Sequence, residues 1–337
     1  MPKIKLSLFK NKIYSEILGM RKPIFIVLSI LLIFIGCNDS DKVEAEISKV
    51  PLDLKIERFD RMFAESGEEG LPKLRKMYPY LFPAPDSVWV AKMKDSLQIE
   101  LFQQVGNTFN SFEDEEEGLV DLFRHIKYYF PEQKTPKIIT VTNDVDYDNR
   151  IILADTLLFI GLDNYLGSQH KYYGGFQRYV AKILDRKFMV SDVASAFAKK
   201  VVPRPRDRTY LARMIYFGKE LYLKDKLMPH AKDEIKIGYT EEEMNWAMAN
   251  EEPIWRNFIE NEYLYSTETR LNQRFLDPAP FSKFGLELDN ESPGRLGRYI
   301  GWQIVRAFME NNEVNLKQLM TMPAEEIFKK SNYKPRS

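Results

Sequence analysis

The sequence holds one cysteine and three histidines in 337 residues. A single thiol excludes an internal disulfide framework and any multi-cysteine metal or iron–sulfur site. The histidines, at 125, 170 and 230, leave little material for a histidine-rich metal centre. An excess of one charge is missing too. The 49 Lys and Arg balance 49 Asp and Glu, a poor start for a nucleic-acid binder. The apolar run over residues 23–35 falls short of the roughly 20 residues a spanning helix needs. What is present is core material: 44% hydrophobic and 13% aromatic residues argue against disorder.

The neutrality conceals an asymmetry. Residues 1–36 carry Lys3, Lys5, Lys10, Lys12, Arg21 and Lys22 against Glu16 alone, so the rest of the chain is mildly acidic. Arg21-Lys22 followed by P-I-F-I-V-L-S-I-L-L-I-F-I has the basic and apolar regions of a signal peptide, complete from Met20, the alternative start. The run ends in Phe34-Ile35-Gly36-Cys37, which resembles a bacterial lipobox, with Phe34 where that pattern usually has Leu. Cys37 is then the lipid-attachment residue and first residue of the mature protein. The bland alternative is an incidental thiol after a plain signal. Acyl chains suit anchoring, since each buried CH₂ contributes roughly 0.8 kcal/mol and stable attachment takes at least two chains. Residues 37–50, polar and free of aromatics, read as a flexible tether.

Residues 51–337 read as one exported α+β domain, mostly α-helical, with a small β-sheet packed on the helices. Alternation at Leu52, Leu54 and Ile56 predicts a short strand. Residues 71–81 and 88–109 have helical spacing, the second capped by Asp86 or Ser87. The acidic run 113–117 suits a helix start, and the helix continues to Pro131. Strands are expected at 137–142, 150–154 and 156–162 around a turn at 143–149. Asp144, Asp146 and Asp148 alternate in that turn, but no downstream Glu completes a calcium loop. Helices follow at 176–187, 190–201 and 209–227. Thr240-Glu-Glu-Glu243 is a capping box, and Pro253 breaks the helix it starts. Ser292-Pro293 reads as the start of the last long helix.

Four stretches carry a resemblance. They are M-I-Y-F-G-K-E-L-Y-L (214–223), N-E-E-P-I-W-R-N-F-I-E-N (250–261), S-P-G-R-L-G-R-Y-I-G-W-Q-I-V (292–305) and M-P-A-E-E-I-F-K-K-S-N-Y-K-P (322–335). With the lipobox they resemble the gliding motility lipoprotein family GldB of Bacteroidetes. From residue 137 the order of elements is also similar to zincin-like predicted zinc proteases, in which an edge strand lies beside a helix bearing H-E-x-x-H. The resemblance implies a zincin-like fold with a lost metal site. Its matching helix, residues 216–222, contains no histidine, so no pair at i and i+4 can face one zinc ion. Glu220 is there read as a surface partner of Lys224, and the three histidines as surface residues. No catalytic residue, metal or cofactor is expected.

The resemblance implies a lipid-anchored, non-enzymatic envelope protein of gliding motility, linked to type IX secretion. Its partners would be envelope proteins of the motility or secretion machinery. Its place would be the outer membrane, facing the periplasm, and it would bind no nucleic acid. Two alternatives stand beside this. One is a histidine-independent hydrolase using Glu220, Glu251, Glu252, Glu260 or Glu262. The other is a binder of a peptide, glycan or small ligand in a degenerate cleft between helices 209–227 and 254–265. The candidate cleft residues are Tyr216, Lys219, Glu220, Glu252, Trp255 and Arg256. Gly294, Gly297 and Gly301 suit close helix packing or a ligand. Lys199, Lys200, Arg204, Arg206, Arg208 and Arg213 form the densest basic stretch, open either to an acidic surface or to solvent.

Overall fold

The computed structural model describes residues 39–287 and 289–336. The signal-like segment 1–36 and Cys37 lie outside the described residues. Two compact units divide at Val50 and Pro51. In the first, Asp39–Ile47 is a nine-residue helix, where a flexible tether was expected. Asp41 in its first turn suits the positive end of the helix dipole.

The second unit is mostly helical around a four-stranded sheet in the order β1-β2-β4-β3. The strands are β1 (Ile56–Glu57), β2 (Lys137–Val141), β3 (Ile151–Leu153) and β4 (Leu157–Gly161). β1, β2 and β4 run parallel, and β3 is the antiparallel edge. The β-rich runs form buried strands because both faces of the sheet are covered. Ile139 packs with Phe59, Phe63, Leu74, Tyr78 and Phe82 on one face. Ile138, Leu158 and Ile160 join the large helical core on the other.

That core centres on the crossing of two long helices, Tyr210–Leu227 and Leu296–Asn311. Their contact is backbone on backbone. A Cβ on Gly218 would lie 2.2 Å from the Gly301 carbonyl oxygen, and one on Gly301 would lie 2.1 Å from that of Met214. Gly294 and Gly297 are equally tight, against Ala279 and Tyr210. The glycines therefore serve close packing. Trp302 is fully buried, and its indole N–H donates to Asp225 (2.8 Å).

Thr209 caps its helix by accepting from the Ala212 amide, and Thr240 with Glu243 forms the capping box. Elsewhere the boundaries move. The 88–109 span divides into Asp86–Lys94 and Ser96–Thr108, because Asp95 turns extended and caps the second helix through the Leu97 amide. Helix Glu251–Glu260 begins before Pro253, which occupies its first turn where no amide is needed. Ser292 caps nothing. Its hydroxyl donates to Asp289 and Ser282 carbonyls, and the helix starts at Leu296 after Arg295 turns left-handed (φ 64°). Residues 176–187 form only a short turn of helix, Arg178–Ala181, and the first part of a 3-10 turn, Arg186–Phe188.

Candidate functional site

The helix lying against the antiparallel edge strand β3 is Met189–Val201. The sequence reading had put residues 216–222 there. Ser191, Ser195 and Lys199 recur every four residues, so they share one helix face with Asp192 beside them. That face lines a cavity of about 470 Å³. The opposite wall is Phe217, Glu220, Leu221 and Lys224 of Tyr210–Leu227, again at helical spacing. Arg295 and Arg298 close the cavity at the start of Leu296–Asn311, and Ile151 and Leu153 bring in β3. Tyr147 and Asp148 stand at the rim, on a loop whose Asn143 and Val145 amides donate to the fully buried Asp163. Burial pushes the Asp163 carboxyl up to about 6 despite those bonds.

The charges in this wall are of two kinds. Arg150 and Asp192 form a pair at 2.7 Å, and Asp192 also accepts from the Tyr165 hydroxyl. Among the described residues the others have no ion-pair partner. Lys224 is 5% exposed and donates only to neutral oxygens, the Ser191 hydroxyl (2.9 Å) and the Lys236 carbonyl (2.7 Å). Burial, more than any neighbour, pushes its ammonium down to about 7. Arg298 donates to the Leu276 carbonyl and stacks 3.9 Å above the Phe217 ring; burial, with Arg295 beside it, pulls it down to about 10. Arg295 donates to the Gly238 carbonyl, and Lys199 is exposed. Glu220 is 8% exposed, its carboxyl is raised by burial, and its Oε1 has no hydrogen-bond partner. Glu220 and Lys224 are thus buried cavity residues, not the surface pair expected from their spacing.

The other candidate cleft residues are not gathered here. Tyr216 stands one turn before Glu220 on the same helix but does not line the cavity. Lys219 points to the far side, where it donates to the Met320 and Met322 carbonyls (3.1 and 2.7 Å). It satisfies the end of helix Leu316–Thr321. Trp255 packs on Phe328 and Tyr333, and Glu252 pairs with Arg256 along its own helix. Arg256 does line a second, more open groove, whose other wall is the segment around Phe284 and Ser292. The expected cleft between helices 209–227 and 254–265 is therefore replaced by two separate hollows. Glu251 is structural: it accepts from the hydroxyls of Tyr299 (2.7 Å) and Tyr333 (2.9 Å).

The remaining candidates also find places. His125 is fully buried, contrary to a surface reading, and its Nδ1 lies 2.9 Å from the Asp121 carbonyl. His170 Nδ1 accepts from the Tyr172 amide, and His230 is exposed. Asp144 pairs with Lys92 and Asp146 with Asn149, so the alternating aspartates diverge. Among the described residues no group of three His, Cys, Asp or Glu is placed to hold a metal. Of the basic stretch, Arg213 is tied to Asn272 and neighbouring carbonyls, Lys200 lies 3.7 Å from Asp155, and Arg204, Arg206 and Arg208 are exposed. Sequence reasoning missed Lys224, Arg295 and Arg298 as site residues. The signal was present in the 217/220/221/224 spacing, which marks one helix face.

A family model described as gliding motility protein GldB matches residues 40–335. No curated protein and no solved structure matches the chain.

Proposed function

The chain belongs to the GldB family of gliding motility proteins, and on that premise we propose that it is a lipid-anchored envelope component that acts by binding other proteins, without catalysis. The observation that carries the non-enzymatic part is the chemistry of the helix beside β3. If the fold descends from a zincin-like protease, Ser191, Asp192 and Ser195 stand at i, i+1 and i+4, where His-Glu-x-x-His would be. Their side chains are committed elsewhere: Ser191 to the Ile235 carbonyl, Ser195 to the Ser191 carbonyl, and Asp192 to Arg150. The Lys224 side-chain nitrogen lies against Ser191, so a lysine occupies the wall that a metal would face. The lipobox ending in Cys37 supports the anchor, with the outer membrane facing the periplasm as the proposed place.

Two experiments test this in a gliding strain lacking its own copy. Cys37→Ala should stop palmitate labelling and move the protein out of the membrane fraction. Unchanged labelling would overturn the anchor. A chain carrying both Ser195→Ala and Glu220→Gln should restore gliding and keep its crosslinked envelope partners. Lost gliding with partners retained, together with peptide or glycan turnover by the wild type alone, would establish the hydrolase instead.

A further inference from the structure

The cavity brings together two features that internal contacts leave unanswered. The first is charge. Lys199, Lys224, Arg295 and Arg298 line it with no carboxylate at ion-pair distance among the described residues, and Lys224 is buried. Burying a charge without a partner is costly, and a bound anion would offset that cost. Outside the Arg150–Asp192 pair, Glu220 and Asp148 supply two carboxylates against four cations, and Glu220 Oε1 still lacks a donor.

The second feature is backbone. In the β3–β4 ladder the bonded pairs fall at Arg150 with Gly161 and at Ala154 with Leu157, so Ile152 is also bonded to β4. Ile151 and Leu153, in the alternate register, turn their amide and carbonyl groups away from β4. Among the described residues these groups make no hydrogen bond, and the same two residues line the cavity. An open edge of this kind accepts an extended chain as an added strand. Ile183, Phe188 and Ile237 supply apolar wall beside it.

We propose that this cavity binds the free C-terminus of a partner polypeptide. The terminal carboxylate is held by Lys224 and Arg298, the last side chain lies on the apolar wall, and the preceding residues pair with the outer edge of β3. A ligand amide or hydroxyl then supplies the donor that Glu220 lacks. The inference rests on the protein-binding function proposed above and names the feature of the partner that is recognised.

The test uses the full chain in detergent with a fluorescent hexapeptide ending in two apolar residues. It is presented as the free acid and as the C-terminal amide, with inorganic phosphate as competitor. The acid should bind at least tenfold more tightly than the amide, since charge-assisted hydrogen bonds are the strong ones. Lys224→Met and Arg298→Met should each abolish that preference, and Lys199→Ala, a change at an exposed site, should weaken acid binding about threefold at low salt. Phosphate should compete poorly, because it cannot pair with a strand edge. Equal binding of acid and amide, or phosphate displacing the peptide at equal concentration, overturns the proposal. Crosslinking in cells separates the two levels. If Lys224→Met keeps every partner at wild-type yield, the carboxylate site is refuted while the motility reading stands. If the wild type captures no envelope protein, that reading fails.

Discussion

At the scale of single residues, the most consequential is Lys224. Its ordinary value near 10.5 falls to about 7 in the folded chain, through burial first and despite Asp192 and Glu220 nearby. Between pH 7 and about 10.5 the unfolded chain binds a proton that the folded chain does not, so this group makes stability rise with pH across that window. Below pH 7 both states are protonated and the full cost of the buried charge is present. Lys224→Met removes that cost. The variant should be more stable than the wild type at pH 6, by on the order of a few kcal/mol, and the gap should narrow by pH 9. Melting curves at the two pH values check it; an unchanged gap would show that the lysine is not titrating. A residue that lowers stability and yet lines a cavity fits a functional constraint. Its importance was hidden in the sequence because Glu220 and Lys224 at i, i+4 read identically whether the helix face meets water or a cavity.

At the scale of elements, the sequence was most informative where local chemistry decides. Thr209 and the Thr240–Glu243 box cap helices as their side chains dictate, and three of the four strands follow from β-rich runs. It was least informative where an apolar period runs through a break, as at Asp95, or where proline is tolerated in a first turn, as at Pro253. Whether a helical glycine packs or merely occurs is also a tertiary fact. Gly301 and Gly106 both lie inside helices, yet a Cβ at Gly106 meets nothing within 4 Å. Gly106→Ala should therefore stabilise by about 0.5 to 1 kcal/mol through helix propensity. Gly301→Ala forces two helix backbones apart and should cost about 3 kcal/mol or more. Urea unfolding of both variants compares them directly. Equal effects would mean that the helix crossing is looser than the backbone contact at Gly218 requires.

At the scale of the compact unit Pro51–Ser337, the C-terminal segment closes over the central helix pair through two buried polar anchors. Lys219, on one helix of the pair, holds the carbonyls of Met320 and Met322. Glu251 takes the Tyr333 hydroxyl and the Arg336 amide while bonded to Tyr299 on the other helix. Both residues were candidates for chemistry in the sequence, as acid or cleft lining, and both prove to fasten the tail. Each anchor keeps the segment ordered for the other, so their losses should not add. Lys219→Ala and Glu251→Gln should each cost about 1 to 3 kcal/mol. The double variant should cost less than their sum by at least about 0.5 kcal/mol, because once the tail has frayed from one anchor the second has less to hold. Tyr333→Phe removes a donor to Glu251 without touching Lys219, and should show the same sub-additivity with Lys219→Ala. Additive losses in both cycles would mean that helix Ala324–Ser331 stays docked by its apolar face alone, through Ile327 and Phe328, and that the two anchors report only on their own surroundings.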